Sequence, residues 1–319
     1  MGLATPIRVG SRGSPLALRQ AELVAGRLRS LATPARVEIV PIRTSGDSTQ
    51  VFGPGTRQVA LADFGGKGLF VRELEEALLD GRVDLAVHSL KDLPATLPSG
   101  LCLAAFPPRE DPRDVLVSRS GGGISELPRG AVVGTSSLRR RVLLLAQRPD
   151  LRVEPIRGNV DTRLRKLEEG PYAAIVLAAA GLRRLGLDPP NAHVLPPEVF
   201  VPAAGQGILV VEARSGDGRL LELLSGLDHT ETRWQAQAER SFLQHLGVGC
   251  HTPVAAHARF LGDELSLVGL VASVDGDRVI RAELGGAPET AEVLGQKLAE
   301  ELKARGATGL LAGTDRSER

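Results

Sequence analysis

Residues 134–165 read GTSSLRRRVLLLAQRPDLRVEPIRGNVDTRLR and hold eight arginines against three acidic residues. The whole chain of 319 residues has a formal charge of only +1, so its positive charge is concentrated in this segment. The apolar residues 131–133 just before it predict a strand. A serine, Ser136 or Ser137, then predicts the N-cap of a helix. A strand that runs directly into a helix is typical of α/β folds.

The predicted helix is expected to bury one face and to carry arginines at its start. Leu138, Val142 and Leu145 recur at helical spacing and predict the buried face. Arg139–Arg141 fall in the first turn, where the helix dipole is already positive, so an anion is expected beside them. Serine hydroxyls, free N–H groups and guanidinium groups together predict a carboxylate or phosphate site. The alternative is a solvated arginine-rich face.

Composition sets the broad class of the protein. A hydrophobic content of 42% over 319 residues predicts two or three globular domains. The aromatic content of 3% and the near-neutral charge disfavour a nucleic-acid-binding protein. The amino terminus has no signal-peptide pattern and no apolar run is as long as a membrane span, so we expect a cytoplasmic protein. Cys102 and Cys250 lie far apart and indicate neither a disulfide nor a metal site, and Cys102 is assigned to the core.

The first part of the chain predicts an α/β unit. A strand at 7–9 leads through the turn GSRGSP to a helix with Ser14 as its N-cap. The residues of this helix predicted to point inward are Leu16, Leu23, Val24, Leu28 and Leu31. Residues 46–65 are rich in glycine and polar residues and predict a loop. The segment GGKGLF does not match a P-loop, because glycine and leucine follow its lysine.

The next strand, in VDLAVHSLKDLP, ends in polar residues. Ligands gather at the carboxyl ends of strands in open α/β sheets, so Lys91 and Asp92 are candidates for chemistry there, beside Ser89. The alternative for Asp92 is a surface ion pair or a turn cap. We interpret His88 as a packed strand histidine.

The rest of the chain predicts a second α/β unit and a smaller third domain. The segment FVPAAGQGILVVEAR is expected to return to the first unit. A helix, the tight loop GVGCHTP and three strands then predict an α+β domain. The predicted division gives residues 1–108 and 205–226 to domain 1, residues 109–204 to domain 2, and residues 227–319, with the loop 247–253, to domain 3.

Eight separated motifs stand in order along the chain: FGGKGLF, AVHSLKDLP, REDPRD, VGTSSLRRR, RGNVDTRL, LAAAGLRRLGL, PAAGQG and GVGCHTP. Together they resemble the porphobilinogen deaminases, also called hydroxymethylbilane synthases, over about residues 7–311. The resemblance implies an α/β fold of three domains. The first two are expected to look like periplasmic-binding-protein lobes around a cleft, and the third is a small α+β domain carrying the cofactor cysteine.

The resemblance also implies an activity and a cofactor. The family condenses four porphobilinogen molecules head to tail, with loss of ammonia, into hydroxymethylbilane for haem biosynthesis. A dipyrromethane cofactor is joined to the protein by a thioether, here implied at Cys250. The pyrroles carry acetate and propionate groups, so an arginine-rich site suits them. We expect a monomer that takes small-molecule porphobilinogen and binds no nucleic acid, membrane or metal.

Site residues are carried over from the matching motifs. Asp92 is implied as the catalytic carboxylate. The residues implied to bind the cofactor are Cys250, Lys91, Asp92, Ser137, Arg139, Arg140 and Arg163. The residues implied to bind substrate are Arg12, Ser14, Phe70, Arg157, Arg163, Arg184 and Gln206.

Some positions depart from the family pattern. Asp63 stands where many members have a lysine, which leaves the role of the 46–66 loop open, although Lys67 remains. The cysteine loop reads LGVGC where members commonly read LEGGC. Cys250 and Pro253 are kept, so cofactor attachment is still expected.

Two other functions remain open from the sequence. A two-lobed binding protein for a small carboxylate or oxyanion would need neither a covalent cofactor nor Cys250, and the missing signal peptide counts against it. An arginine-rich nucleic-acid-binding protein would show steeply salt-dependent binding to DNA or RNA, and the near-neutral charge counts against that.

Overall fold

The computed structural model describes residues 6–31, 36–43, 71–94, 96–248 and 252–312. Several sequence predictions lie outside these described residues. They concern the 46–66 loop with Asp63, Lys67, Phe70 and the cofactor cysteine Cys250.

Strands and helices alternate through most of the described chain. The strands are β1 (Ile7–Arg12), β2 (Val37–Ile42), β3 (Leu85–Ser89), β4 (Leu101–Ala105), β5 (Asp114–Ser118), β6 (Val132–Gly134), β7 (Arg152–Glu154), β8 (Ala174–Ala178), β9 (Ala192–Val194), β10 (Leu209–Arg214), β11 (Val254–Leu261), β12 (Glu264–Ala272) and β13 (Val279–Gly286). The helices are α1 (Pro15–Leu31), α2 (Arg72–Leu79), α3 (Leu138–Gln147), α4 (Val160–Glu169), α5 (Ala179–Leu185), α6 (Gly218–Ser225), α7 (Thr230–Leu246), α8 (Ala291–Ala304) and α9 (Ala307–Ala312).

The first compact unit combines residues 1–109 with residues 208–233. Its mixed sheet has the strand order β2-β1-β3-β10-β4. β1 runs parallel to β2 and β3, whereas β10 runs antiparallel to β3 and β4. Helices α1 and α6 pack on one face of the sheet and α2 packs on the other, so both faces are covered by apolar side chains. Side chains at the strand ends are therefore held on a rigid base.

Helix α1 begins as the sequence predicts, but its buried face differs. The Ser14 hydroxyl accepts a hydrogen bond from the backbone N–H of Ala17 at 3.3 Å, which caps the helix. Leu23 and Leu31, predicted to point inward, are 39% and 47% exposed. Val24 and Leu28 are buried as predicted, and small alanines beside them complete the face that packs on the sheet. An apolar pattern marks larger leucines more strongly than alanines, and this explains the error.

The second compact unit combines residues 110–207 with residues 234–319. It contains a mixed sheet of order β7-β6-β8-β5-β9 and an antiparallel sheet of order β11-β12-β13. Helices α7, α8 and α9 cover one face of the antiparallel sheet around the buried Phe242. The predicted fold class, two α/β sheets followed by a small α+β domain, is confirmed. The three-domain division predicted from the sequence stays a prediction.

The antiparallel sheet also packs against α3. Val268 and Leu270 on β12 share one apolar cluster with Val142 and Leu143 on α3. The turn between β12 and β13 lies tightly on the same helix, since a Cβ added at Gly276 would sit 3.3 Å from the Val142 carbonyl oxygen. Gly276 also has a φ of +84°, which favours glycine. The arginine-bearing helix is thus held by the C-terminal part of the chain.

Two features are absent from the described residues. None of their helices combines the length and the apolar character needed to cross a membrane. In the same residues, histidines, cysteines and acidic side chains do not gather in a group of three or more suited to a metal ion.

Candidate active site

A pocket in the first unit lies where β1 and β3 end and α1 begins. Its polar lining among the described residues is formed by Arg12, Ser14, Gln20, His88, Ser89 and Asp92. The predicted site residues Arg12, Ser14 and Asp92 are therefore neighbours in space, although β1 and β3 are far apart in sequence. Parallel strands bring their carboxyl ends to one edge of a sheet, and this explains why they meet.

Asp92 is presented by a single turn of 3-10 helix, Leu90–Asp92, directly after β3. Leu90 is buried, and its backbone N–H donates to the Ile208 carbonyl oxygen at 3.0 Å. This anchor leaves the Asp92 side chain exposed at the pocket. No basic side chain among the described residues forms an ion pair with it. Lys91, in the same turn, is half-buried.

The strand end beside Asp92 is fixed to α1 by side chains. The Gln20 amide donates to the Ser89 hydroxyl at 3.1 Å, and Gln20 is only 4% exposed. A buried polar pair of this kind holds both partners in one geometry, because breaking it leaves unsatisfied groups. Ser14 and Ser89 therefore lie at fixed positions on the pocket wall.

In the second unit, the start of α3 is capped as predicted. The Ser137 side chain accepts a hydrogen bond from the Arg140 backbone N–H at 3.4 Å. The neighbouring Ser136 hydroxyl donates to the Ile156 carbonyl oxygen at 2.9 Å, which ties the turn to the segment after β7. Of the two serines that the sequence offered as N-cap, the structure selects Ser137.

The arginines at the start of α3 surround a buried carboxylate that the sequence analysis did not identify. Arg140 donates to Asp114 Oδ1 through Nε at 3.0 Å and Nη2 at 2.7 Å. The Arg139 Nη1 atom lies 2.8 Å from Asp114 Oδ2 and also donates to the Val201 carbonyl oxygen at 2.7 Å. The side chain of Asp114 is 0% exposed and those of Arg139 and Arg140 are 4% and 8% exposed. We call these three residues the Asp114 cluster.

Charge in the Asp114 cluster is unequal, with two cations against one anion. Burial alone would raise the pKa of Asp114, but Arg139 and Arg140 outweigh burial and hold that pKa below its usual value. Burial lowers the pKa of Arg139 despite the contact with Asp114. The Nε atom of Arg139 is buried without a hydrogen-bond partner in the described chain. A further anion would satisfy this donor and balance the excess charge.

Arg163 and Arg184 add partly buried cations in the same unit. Arg163 donates through Nε to the Gly158 carbonyl oxygen at 2.8 Å, and burial together with the charge of Arg140 lowers its pKa. Arg184 donates to the Gly207 carbonyl oxygen at 2.6 Å. Burial lowers the pKa of Arg184 to about 10, partly offset by Glu110. Partly buried cations in excess over carboxylates fit the binding of anionic groups.

Other predicted site residues take less direct positions. Arg157 is exposed, and its backbone carbonyl oxygen accepts a hydrogen bond from Lys166 at 3.0 Å. Gln206 is fully buried, and its amide donates to Asp114 Oδ1 at 3.1 Å and to the Pro112 carbonyl oxygen at 2.7 Å. Gln206 therefore supports the Asp114 cluster. Its role toward substrate stays a prediction.

The turn that carries Gln206 depends on two features. Gly207 has a φ of +86°, and a Cβ there would lie 2.2 Å from the Glu110 carbonyl oxygen, so glycine is required. The buried Glu239 on α7 accepts hydrogen bonds from the Gly205 N–H at 2.5 Å and from the Ala258 N–H at 2.7 Å. Sequence reasoning missed Glu239 because nothing local distinguishes it from other acids on a helix. Asp114 had a weak signal, since an acid rarely opens an apolar strand.

Comparison with known proteins decides the family. Residues 7–222 match the family model described as "Porphobilinogen deaminase, dipyromethane cofactor binding domain", and residues 234–304 match "Porphobilinogen deaminase, C-terminal domain". The chain belongs to the porphobilinogen deaminase family. A relative named porphobilinogen deaminase from Syntrophotalea carbinolica is 50% identical over 312 residues, covering 98% of this chain and 97% of the relative.

A second porphobilinogen deaminase, from Nitrosomonas europaea, is 49% identical over 306 residues, covering 96% of this chain and 97% of the relative. Among solved structures, the methionine binding protein MetQ gives a TM-score of 0.43 at 15% identity, covering 71% of this chain and 91% of MetQ. That likeness is too low to bear on activity. The stretch matched by the cofactor-domain model of the porphobilinogen deaminases contains both the Asp92 pocket and the Asp114 cluster.

Proposed function

We propose that this chain condenses four porphobilinogen molecules head to tail, with loss of ammonia at each step, into hydroxymethylbilane. Family membership supports the reaction. The observation that carries the assignment of the site is Asp92, an exposed carboxylate in a pocket shared with Arg12. Porphobilinogen carries carboxylates and an aminomethyl group. A pocket with one cation and one anion matches both kinds of charge.

Asp92 is proposed as the catalytic carboxylate. Positive charge develops on the substrate as ammonia leaves, and a fixed negative charge beside it lowers the barrier without reorganisation. The buried Leu90 and its hydrogen bond to Ile208 hold the turn that carries Asp92 in place before substrate arrives. Arg12 and Ser14, on the same pocket wall, are proposed to bind the substrate's acidic side chains.

The second unit is proposed to hold further carboxylates of the cofactor and of the growing chain. When bound through Cys250, a dipyrromethane supplies the pyrrole carbon to which the first substrate is joined. The unpartnered Nε of Arg139 and the guanidinium of Arg163 are suited to the carboxylates of such a group. Lys91, Asp92, Ser137 and Arg140 are the other proposed cofactor contacts, and Arg157, Arg163, Arg184, Gln206 and Phe70 the other proposed substrate contacts.

The catalytic assignment is tested by Asp92→Asn. We expect turnover to fall by about 10²–10³-fold, because one preorganised charge is lost at the reacting centre. The fold should be unaffected, since Asp92 is exposed and forms no ion pair in the described chain. The measurements are ammonia release and the thermal unfolding midpoint, with the exposed Asp80→Asn in the same unit as a control. Turnover close to that of the parent would remove Asp92 from the central role.

Cofactor attachment is tested by intact mass. The parent purified from cells should exceed its calculated mass by two porphobilinogen units less two ammonias, whereas Cys250→Ala should not. A parent that stays unmodified even after incubation with porphobilinogen would leave a binding protein for carboxylates as the better function.

The proposal also covers the oligomeric state of the chain and its location in the cell. We expect the chain to act as a monomer, which light scattering on the eluting protein will measure. We expect it in the cytoplasm without nucleic acid, in keeping with the formal charge of +1. Cell fractionation and the nucleic-acid content of the purified protein are the checks.

A further inference from the structure

Three titratable side chains meet beneath the Asp92 pocket in the first unit. His88 Nε2 on β3 lies 3.0 Å from Glu212 Oε2 on β10, and the two side chains are 4% and 0% exposed. Glu75 on α2 approaches them closely enough that Glu212 and His88 both affect its pKa. None of the three has a role in the function proposed above.

The sheet register explains why these residues meet. In the antiparallel pair, Val210 stands opposite His88 and Glu212 stands opposite Ala86. His88 and Glu212 are therefore diagonal neighbours on one face of the sheet. Ala86 on that face packs against α2, the helix that carries Glu75. The contact between His88 and Glu212 is fixed by the backbone rather than by flexible loops.

Glu212 is placed to stabilise a positive charge that forms on its neighbour. Both of its oxygens are buried and lack a hydrogen-bond donor among the described residues. An ionised carboxylate without a partner is unfavourable away from water, so a positive charge that forms beside it is favoured. His88 is the basic group that the described chain places in ion-pair contact with it. The His88 Nε2 atom lies toward the carboxylate at ion-pair distance without hydrogen-bond geometry, which leaves Nδ1 for another partner.

His88 also lines the pocket that contains Asp92. The same histidine therefore contacts a buried carboxylate and lines the place where substrate is proposed to bind. A base oriented by a buried acid, with its other nitrogen available to the substrate, is the usual arrangement for proton transfer. The other titratable groups around the pair are Glu75 on α2, Cys102 on β4, and Arg12 and Asp92 in the pocket.

The proposed reaction requires such a base at each condensation. A carbon–carbon bond forms between the free α-carbon of the terminal pyrrole and the aminomethyl carbon of porphobilinogen. The carbon–nitrogen bond breaks, and its electron pair leaves with ammonia. The α-carbon must then lose its proton, so that the electrons return to the ring. If Asp92 took this proton, it would lose the charge that stabilises the positive substrate.

We propose that His88 accepts this proton through Nδ1, while Glu212 holds the ring and stabilises the imidazolium that forms. The proton then passes to the departing ammonia or to water, so that ammonium is the final product and His88 is neutral again. His88 acts on substrate directly, and Glu212 is a positioning residue that acts through His88. The inference rests on the proposed function.

The test compares His88→Gln with the parent, both carrying their cofactor. We expect kcat to fall by about 10²–10⁴-fold, the usual contribution of a general base, with a much smaller change in KM. Porphobilinogen deuterated at its free α-carbon should slow the variant more than it slows the parent, because proton removal becomes rate-limiting. Exposed His193→Gln in the second unit is the matched control and should match the parent.

Either of two results overturns the proposal. Turnover of His88→Gln within about twofold of the parent would exclude His88 as the base, given the usual contribution. A loss confined to KM or to thermal stability, with an unchanged isotope effect, would make the pair purely structural. Intact mass and the unfolding midpoint are recorded first, so that lost cofactor or lost fold is recognised.

Glu212→Gln provides an independent measurement if His88→Gln does not fold. It keeps the size of the side chain and removes its charge, so the acid limb of the pH–rate profile should move if Glu212 sets the protonation of His88. An unmoved limb at normal turnover contradicts the positioning role. Ammonia release by the parent separates the two levels of inference. A parent that releases none contradicts the proposed function itself, whereas an active parent with an equally active His88→Gln contradicts only the role of His88.

Discussion

The two compact units each bury a cluster of charged side chains, and the clusters differ in their balance of charge. In the Asp114 cluster two arginines face one carboxylate, and the carboxylate accepts hydrogen bonds from Arg140 and Gln206. In the first unit two carboxylates, Glu212 and Glu75, face one histidine, and both Glu212 oxygens lack donors in the described chain. All of these side chains except the half-buried Glu75 are buried, so the clusters differ mainly in the partners available to each charge.

This difference determines how each cluster responds to pH. Arginine keeps its proton throughout the range in which proteins are stable, so the Asp114 cluster has a constant charge. Burial, and then the charge of Glu212, raise the pKa of Glu75 to about 7, against the opposing effect of His88. The second cluster therefore changes charge near neutral pH. A fixed cationic cluster suits the holding of anions, and a titrating cluster suits the movement of protons.

The largest effect is expected from Asp114→Ala, which removes the anion from the fixed cluster. Two buried guanidinium groups would then lack compensation, and the free energy of unfolding should fall by about 3–5 kcal/mol. Urea unfolding of both proteins measures this. Exposed Asp161→Ala, on α4 of the same unit, should change it by less than about 1 kcal/mol.

The pH dependence sharpens the same prediction. Because the folded pKa of Asp114 lies below its unfolded value, its contribution is fully present above about pH 4 and is lost as the pH falls through the folded value. The difference in free energy of unfolding between parent and variant should therefore be the same at every pH from 5 to 8. A difference that varied across this range would contradict a cluster of constant charge.

The next largest effect should come from Arg163→Leu, which removes a partly buried cation that has no carboxylate partner in the described chain. Stability should change by less than about 1 kcal/mol, since burial already disfavours the charge. Binding of the carboxylates of cofactor and substrate should weaken by about 10- to 100-fold, which corresponds to one charge-assisted hydrogen bond. The measurements are urea unfolding, the fraction of cofactor-loaded protein and KM.

Arg165→Leu is the matched control for this comparison, because Arg165 is exposed on the same helix. It should retain normal loading and KM. If Arg163→Leu were strongly destabilised instead, Arg163 would belong with the paired arginines of the Asp114 cluster and not with the anion-binding groups.

The smallest effect is expected from Glu75→Gln in the titrating cluster. Since the folded pKa of Glu75, about 7, exceeds its unfolded value, its favourable contribution is fully present below about pH 4.5 and is lost as the pH rises through 7. The variant stays neutral, so at pH 8 it should be more stable than the parent by about 1 kcal/mol, a value reduced for the partial exposure of Glu75. At pH 5 the parent and the variant should be equally stable. Thermal and urea unfolding at both pH values measure this.

Glu76→Gln serves as the control on the same helix. Glu76 is exposed and pairs with Arg72 at 2.9 Å, four residues away, so its loss should lower stability by less than about 0.5 kcal/mol above pH 5. A Glu75→Gln variant that also tracked the parent at pH 8 would mean that the first unit holds no titrating cluster.

Local signals made part of this structure predictable. The strand before Gly134, the Ser137 cap and the start of α1 at Pro15 follow from turn and capping preferences, which act over a few residues. The buried face of α3 was less predictable. Leu138 and Leu145 are only half-buried, whereas Arg139 and Arg140 are buried. The sequence predicted a bound anion beside these arginines. The structure shows that one anion beside them is the Asp114 carboxylate of the protein itself.

Contacts between distant residues explain what the sequence could not predict. Asp114 and Arg140 are separated by 26 positions, so no local pattern pairs them. His88 fits the expected packed strand histidine, but its contact with Glu212 depends on the register between β3 and β10. Asp92 was recognised through a motif, and the structure adds its neighbours Arg12 and Ser89. The roles assigned to the site residues stay predictions.

The hydrogen bonds of Glu239 have a consequence for the order in which this chain matures. Gly205 precedes Glu239 by 34 positions, and Ala258 follows Glu239 by a further 19. At a synthesis rate of about 5–20 residues per second, the Gln206 turn is made roughly 2–7 s before the glutamate that holds it. The support of the Asp114 cluster is completed only as the C-terminal part emerges from the ribosome. A chain truncated before α7 should therefore contain every arginine and lysine proposed for the site and still lack a finished binding site for acidic groups.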